Sequence, residues 1–372
     1  MTNIGNSAKL SLPDWGDEAP KEIKKLHQLS PYIGKLKPHI ASKIISDHTK
    51  KGDLIVDPFS GSGTIPLAAM YLHRDTFASD ISSYSNVLTK GKLFSPTNLN
   101  EALETFDQLH HEVLQLPNPD LRKVPAWVRS FFHHRTLKET LKWAQVVNKP
   151  GNEFFMACLL GILHHQRPGF LSYPSSHLVP YLRNKKYPKH EFPELYEYRE
   201  VTSRLKKKII RALQTPPPPR NVKKTFLQQD ICEVNFPSSI DAIITSPPYM
   251  NALDYIRDNR LRLWLLGDIS NLNKIKEPTN SIKCFEKAMK SLVEKANNSL
   301  RIGGKLILIM GEIKRKNTNF LDYIESFVNI SGNYELLEII NDKIPDIRRS
   351  RRNCRAIKNE MIFIYQKRQN HD

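Results

Sequence analysis

Cysteine is scarce in this 372-residue chain: Cys158, Cys232, Cys284 and Cys354 are the only four, far apart and without a C-x-x-C pair. That spacing argues against a zinc site and a disulfide framework, and points to a reduced, cytosolic protein. Long apolar runs are also missing. The longest, residues 156–163 and 306–310, fall far short of the roughly 20 residues a spanning helix needs, so no membrane crossing is expected. Residues 1–18 lack the basic start and apolar centre of a signal peptide, which would leave the protein in the cytoplasm where it is made. Acids are outnumbered as well: 38 Asp and Glu face 56 Lys and Arg, a net charge of +18. An excess of that size favours a polyanion as partner, and with the membrane set aside nucleic acid leads. With 40% apolar residues the chain has the makings of a buried core, so disorder is not the default.

What is present is alternation. Residues 54–57 form an apolar run ending in an acid, followed by a glycine turn and a helical stretch over 64–73. A second strand is expected over 76–81, then a helix to about residue 94. Further strands are expected over 225–229, 241–245, 305–310, 334–340 and 360–366, with helices over 281–300 and 319–330. Seven strands alternating with helices predict an α/β fold with a doubly wound, mostly parallel sheet that binds ligands at the carboxyl ends of its strands. Between the two halves, residues 98–220 carry helical periodicity and close on Pro216 to Pro219. The expected division is 1–97 and 221–372 for the sheet and 98–220 for a large, mainly helical insertion.

The turn Gly61-Ser62-Gly63 follows a buried strand, so a ligand can approach bare backbone there. The third glycine of G-x-G-x-x-G is absent, Pro66 takes its place, and no Lys-Ser or Lys-Thr pair follows, which disfavours dinucleotides and nucleoside triphosphates. Asp57 at the strand tip would repel pyrophosphate but attract a cation, and Asp80, at the end of the next strand, is placed for ribose hydroxyls. A ligand with ribose, a cation and no phosphate fits S-adenosylmethionine. Alternatively, the glycines form only a tight turn and Asp57 only caps a helix.

Residues 243–245 are a buried strand that stops at Ser246-Pro247-Pro248-Tyr249; two prolines force the chain out at the carboxyl edge of the sheet. Alone this is a strand terminator. Together, D-P-F-S-G-S-G-T at 57–64 and T-S-P-P-Y at 245–249 resemble the amino-methyltransferases that methylate exocyclic amines of DNA bases, on a Rossmann-like methyltransferase sheet. The resemblance also takes in S-P-Y-I-G-K at 30–35 and leaves out the insertion. It implies S-adenosylmethionine as cofactor, with Tyr32, Gly34, Asp57, Phe59, Gly61, Gly63, Thr64, Asp80 and Asp230 around it. Ser246, Pro247, Pro248 and Tyr249 would hold a base flipped out of duplex DNA. Ser at the head of that motif resembles the cytosine-N4 branch more than the adenine-N6 branch. A restriction–modification setting, with a partner nuclease, is also implied.

Arg348, Arg349, Arg351, Arg352, Arg355 and Lys358 form a dense basic loop between the last two strands, suited to DNA phosphates. Trp127, Phe131, Phe132, His133 and His134 are expected on one helical stretch of the insertion, the candidate target-recognition element. The His133-His134 and His164-His165 pairs are not read as metal ligands, because adjacent histidines on a helix face apart and no Cys or acid completes a set. Competing readings are an RNA base-amine methyltransferase and a non-catalytic DNA-binding protein on a degenerate methyltransferase fold.

Overall fold

The computed structural model describes residues 9–12, 25–174, 186–248, 255–267, 281–311, 320–329, 333–343 and 359–369. The strands are β1 (Lys9–Ser11), β2 (Leu54–Asp57), β3 (Asp75–Ser79), β4 (Lys224–Leu227), β5 (Ile240–Thr245), β6 (Leu300–Gly311), β7 (Tyr334–Lys343) and β8 (Asn359–Lys367). The helices are α1 (Pro38–His48), α2 (Thr64–Tyr71), α3 (Ser83–Leu93), α4 (Leu99–Gln115), α5 (Ala126–Arg129), α6 (His134–Val147), α7 (Glu153–Leu163), α8 (Val201–Ala212), α9 (Tyr255–Leu265), α10 (Ile282–Ser299) and α11 (Phe320–Val328).

One sheet holds all eight strands in the order β1-β7-β8-β6-β5-β2-β3-β4. Neighbours are parallel except around β8, which runs antiparallel between β6 and β7. The α/β, mostly parallel expectation therefore holds, and among the described residues the sheet has eight strands where seven were expected. The extra strand, β1, sets Lys9, Leu10 and Ser11 beside Glu338, Ile339 and Ile340, and the Ser11 hydroxyl donates to Glu338 Oε1 at 2.6 Å. Three residues with Leu10 exposed give no period-2 pattern, so the strand leaves no trace in the sequence.

Strand alternation sorts the core into two faces. Ile55, Ile244, Ile307, Ile309 and Ile364 point to one side and pack against α1 and α2. Val56, Ile243, Leu306, Leu308 and Phe363 point to the other, under α10 and α11. Helices on both faces make the sheet doubly wound, and central strands buried on both sides explain their nearly continuous apolar sequence.

The helices α4 to α8 do not stand apart. Their core, built on Phe106, Trp143 and Leu159, is continuous with Tyr84 and Leu88 of α3 and with Leu261 and Leu263 of α9. The contact between α3 and α7 is close enough to need a glycine: a Cβ on Gly91 would lie 2.8 Å from the Glu153 carbonyl oxygen and 3.1 Å from Ala157 Cβ. The expected single helix from Trp127 to His134 is broken. α5 ends at Arg129, Phe131 and Phe132 turn into the core, and His133 is the N-cap of α6, its Nδ1 accepting from the Arg135 N–H. The apolar spacing reflects packing, and the capping histidine ends the run.

Gly91→Ala should push α3 and α7 apart and cost about 1–3 kcal/mol, as overpacking of a tight core does. Urea denaturation checks this through a lower midpoint at unchanged slope.

Candidate active site

From β2 the chain proceeds to β3 and β4 on one side, and later returns to add β5 and β6 on the other. The strand order thus reverses between β2 and β5, and a crevice opens at their carboxyl ends. Asp57 ends β2 and Thr245 ends β5. The Thr245 hydroxyl donates to Asp57 Oδ1 at 2.7 Å, a bond across the switch point, while the Phe59 N–H approaches the same oxygen at 3.4 Å. Asp57 is 1% exposed, and no lysine or arginine among the described residues pairs with it. Burial pushes its carboxyl up to about 7, the two hydrogen bonds pull the other way, and the nearby Asp80 charge adds to the rise.

The glycine turn lies directly above. Gly61 and Gly63 take positive φ, 50° and 70°, and the Gly63 N–H closes the turn on the Ser60 carbonyl at 2.7 Å. The two glycines do different work. Gly61 lines the cleft and its N–H donates to Asp80 Oδ2 at 2.8 Å. Gly63 faces away: a Cβ there would sit 2.8 Å from Thr89 Oγ1 and 3.0 Å from Thr89 Cα, so this glycine lets the turn rest on α3. Asp80 Oδ1 accepts from the Ser82 N–H at 2.9 Å, and donors from Gly61, Ser85 and Ile81 also hold the carboxylate, against a burial that raises its pKa.

The opposite wall is the strap of residues 27–36. Tyr84, fully buried on α3, fastens it: its hydroxyl donates to the Pro31 carbonyl at 2.7 Å and accepts from the Ser30 hydroxyl at 2.6 Å. Tyr32 then stacks on Tyr84 with ring centroids 5.8 Å apart and lies 3.4 Å from where a Gly61 Cβ would be.

Turn, strap and the ends of β2 and β5 enclose a cleft of about 460 Å³, within the size range of small-molecule sites. Of the remaining expected cofactor residues, Tyr32, Gly34, Phe59, Thr64 and Asp230 line it. Ser246, Pro247 and Pro248 line it too, and Ser246 makes no side-chain hydrogen bond among the described residues. Tyr249 and the basic residues Arg348, Arg349, Arg351, Arg352, Arg355 and Lys358 lie outside the described residues. Residues given no role from sequence are Thr245, which holds Asp57, Tyr84, which holds the strap, and Tyr255 on α9, whose ring is 6.3 Å from that of Tyr32 at the cleft. Thr245 stands inside the T-S-P-P-Y motif, a signal that was open to reading; nothing local marks the two tyrosines.

Known proteins resemble parts of this chain. A DNA methylase family model matches residues 17–89, a stretch that carries the strap, Asp57, the glycine turn and Asp80. The type II methyltransferase M.MjaII of Methanocaldococcus jannaschii is 34% identical over 73 residues, which are 20% of this chain and 14% of that protein. The type II methyltransferase M.BsoBI of Geobacillus stearothermophilus is 25% identical over 261 residues, covering 58% of this chain and 48% of that one. The chain thus spans less than half the length of either relative. Among solved structures, TrmN from Thermus thermophilus aligns with 94% of this chain and 54% of its own at 11% identity and a TM-score of 0.38. The resemblance to the DNA amino-methyltransferases is upheld, and the cofactor that resemblance implies is S-adenosylmethionine. The residues present fit that molecule: a buried acid without a cationic partner among the described residues, a bare Gly61 backbone, and a carboxylate at the next strand end.

Because the folded carboxyl of Asp57 titrates near 7 and the unfolded one near 4, the native state holds the extra proton between those values. Its contribution to stability is therefore lost as pH rises through that window. The stability of Asp57→Asn relative to the parent should shift in the variant's favour by on the order of 2–4 kcal/mol between about pH 4 and pH 8. Denaturation curves of both proteins across that range provide the check; a pH-independent difference would contradict the burial cost assigned to Asp57.

Proposed function

We propose that the chain transfers a methyl group from S-adenosylmethionine to the exocyclic amine of a base in DNA, with cytosine N4 as the favoured target, within a restriction–modification system. The observation that carries this reading is the shared cleft. A buried acid and a Ser-Pro-Pro segment, which find no cation and no hydroxyl partner among the described residues, face one space at the strand switch point. The methyltransferase matches support the chemistry, and the charge of +18 supports a polyanionic substrate.

When bound, S-adenosylmethionine supplies a methyl group already activated on a sulfonium, which leaves as a neutral thioether. The chain's own residues do the rest. Asp57 faces the cationic part of the cofactor, and that charge favours the ionised form that burial disfavours. Asp80 would accept from the ribose hydroxyls, and Asp230 would hold the adenine end. The amine of cytosine is a poor nucleophile because its lone pair is delocalised into the ring. Ser246 Oγ and the Pro247 carbonyl accept its two N–H groups, which favours a pyramidal nitrogen and stabilises the charge that develops as the C–N bond forms. The methylated nitrogen then gives up one proton to solvent water, which leaves the neutral N-methyl amine. Pro247 and Pro248 hold the direction of these acceptors, and Tyr249 offers a face for the flipped base.

The DNA itself is assigned to two elements: the helical insertion, residues 98–220, as the part that reads the target sequence, and the loop from Arg348 to Lys358 for phosphates. Base edges must be read by an element outside the sheet, and no other segment is long enough.

Incubation with methyl-labelled S-adenosylmethionine and mixed-sequence duplex DNA, with RNA in parallel, followed by nucleoside mass spectrometry, tests the reading. N4-methylcytosine is expected. N6-methyladenine would overturn the role of Ser246 as a branch marker; label confined to RNA would replace the substrate; cofactor binding without transfer would leave a non-catalytic binder.

Pro248→Ala and Tyr249→Ala should lower turnover by about 10- to 100-fold with cofactor affinity within a few-fold, whereas Asp80→Ala should act mainly on cofactor affinity. Equal losses of affinity in all three would contradict these assignments.

A further inference from the structure

Two amines lie buried behind the cleft and a third, half-buried, lines it, with no carboxylate among them in the described residues. Lys92 on α3 is 1% exposed and Lys208 on α8 is 6% exposed, whereas Lys35, on the strap, faces the cleft. Each spends a donor on a main-chain carbonyl, those of Ser62 and Gln28 in turns and that of His27 at the end of a helical segment. Lys92 Nζ donates to the Ser62 carbonyl in the glycine turn, Lys208 Nζ to the Gln28 carbonyl at 2.6 Å, and Lys35 Nζ to the His27 carbonyl at 3.1 Å. His27 lies among them, fully buried, and neither ring nitrogen has a partner. Burial and mutual repulsion lower the pKa of Lys92 and Lys208, the latter to about 8, and lower that of His27 as well.

Burying a lysine without a counter-charge is costly, and an apolar side chain of the same length would fill the space more cheaply. What these amines supply is orientation. The carbonyls they hold belong to the two walls that face each other across the cleft, the glycine turn and the strap, where Tyr32 meets Gly61. Fixing the Ser62 carbonyl fixes the peptide plane that it shares with the Gly63 N–H, the group that closes the turn on Ser60. On the strap side Lys208 is backed by α7: a Cβ on Gly161 would lie 1.9 Å from the Leu29 carbonyl oxygen and 3.0 Å from Lys208 Cε. The insertion thus presses directly on the chain that leads to Tyr32.

We propose that Lys92 and Lys208 are positioning residues for the cofactor cleft, Lys92 setting the glycine turn from behind and Lys208 tying the strap to the helical insertion. Neither lines the cleft, so each acts through the backbone it holds. This role rests on the reading of the cleft as the S-adenosylmethionine site.

Lys92→Met and Lys208→Met keep the stems and remove the donors. Hydrogen exchange of the cofactor-free protein should quicken over residues 60–64 in the first variant and over 27–32 in the second, with the other wall unchanged. Affinity for S-adenosylmethionine should fall roughly three- to tenfold in each, the worth of one hydrogen bond, with turnover at saturating cofactor within about twofold. Exchange unchanged at both walls, or a lowered melting temperature with unaltered affinity, would overturn the proposal. The two variants act on separate walls, so one that fails to fold leaves the other to decide. A parent protein that does not bind S-adenosylmethionine would remove the cofactor reading, and the exchange comparison would still decide whether the lysines set the walls.

Discussion

A hydrogen bond across the middle of the sheet, from the Thr245 hydroxyl to the Asp57 carboxyl, joins the two halves of the protein at the place where the strand order reverses. The cleft depends on it. Burial of Asp57 is tolerable only because Thr245 and the Phe59 N–H each supply a donor, and even so the carboxyl is held near neutrality. A group in that state is poised: a cation brought into the crevice favours its ionised form, and the cost of burial becomes selectivity for a positively charged ligand. The same strand ends that set this acid also deliver Ser60 to Gly63 on one side and Ser246 to Pro248 on the other, so binding and chemistry share one origin.

Around that centre the walls are built by fastening irregular backbone to rigid helices. Tyr84 and Lys92 reach from α3 to the strap and to the turn, and Lys208 reaches to the strap from α8. Such loops could not hold a shape by their own hydrogen bonds, and the buried stems supply what sheet pairing does not. The helical insertion therefore has a structural share in the cleft besides any part it plays with nucleic acid. Its core runs into α3 and α9 without a break, and two glycines, Gly91 and Gly161, mark where its helix α7 meets main chain or near-main-chain atoms of the sheet part.

Much of this was legible in the sequence, for physical reasons. Central strands buried on both faces read as short apolar runs, and glycine or proline marks where they stop, so seven strands and most of the helices that cover them could be placed. The expected helix over 281–300 appears as Ile282–Ser299 because Ser281 caps it and its apolar positions recur at helical spacing. β1 was invisible, since three residues, two of them exposed, carry no period. The run from Trp127 to His134 misled because apolar residues at helical spacing pack equally well when a cap interrupts them. Of the residues carried by motifs, the strap, Asp57, Gly61 and Ser246 to Pro248 line the cleft, Gly63 packs on Thr89 instead, and Tyr249 lies outside the described residues. Residues that act from behind, such as Lys92 and Tyr84, belong to no local pattern. Their meaning depends on what α3 is packed against, which only the fold supplies.

The central claim is that the cleft receives a cation against Asp57. Calorimetric titration of S-adenosylmethionine at about pH 6, in two buffers of different ionisation enthalpy, measures the proton balance of binding for the parent protein and for Asp57→Asn. A carboxyl that titrates near 7 alone and lower beside a cation must release protons on binding. The parent should therefore release more protons than Asp57→Asn, by a substantial fraction of one per site. Equal proton balances in the two proteins would contradict the role of Asp57 and, with it, the account of why the site lies where it does.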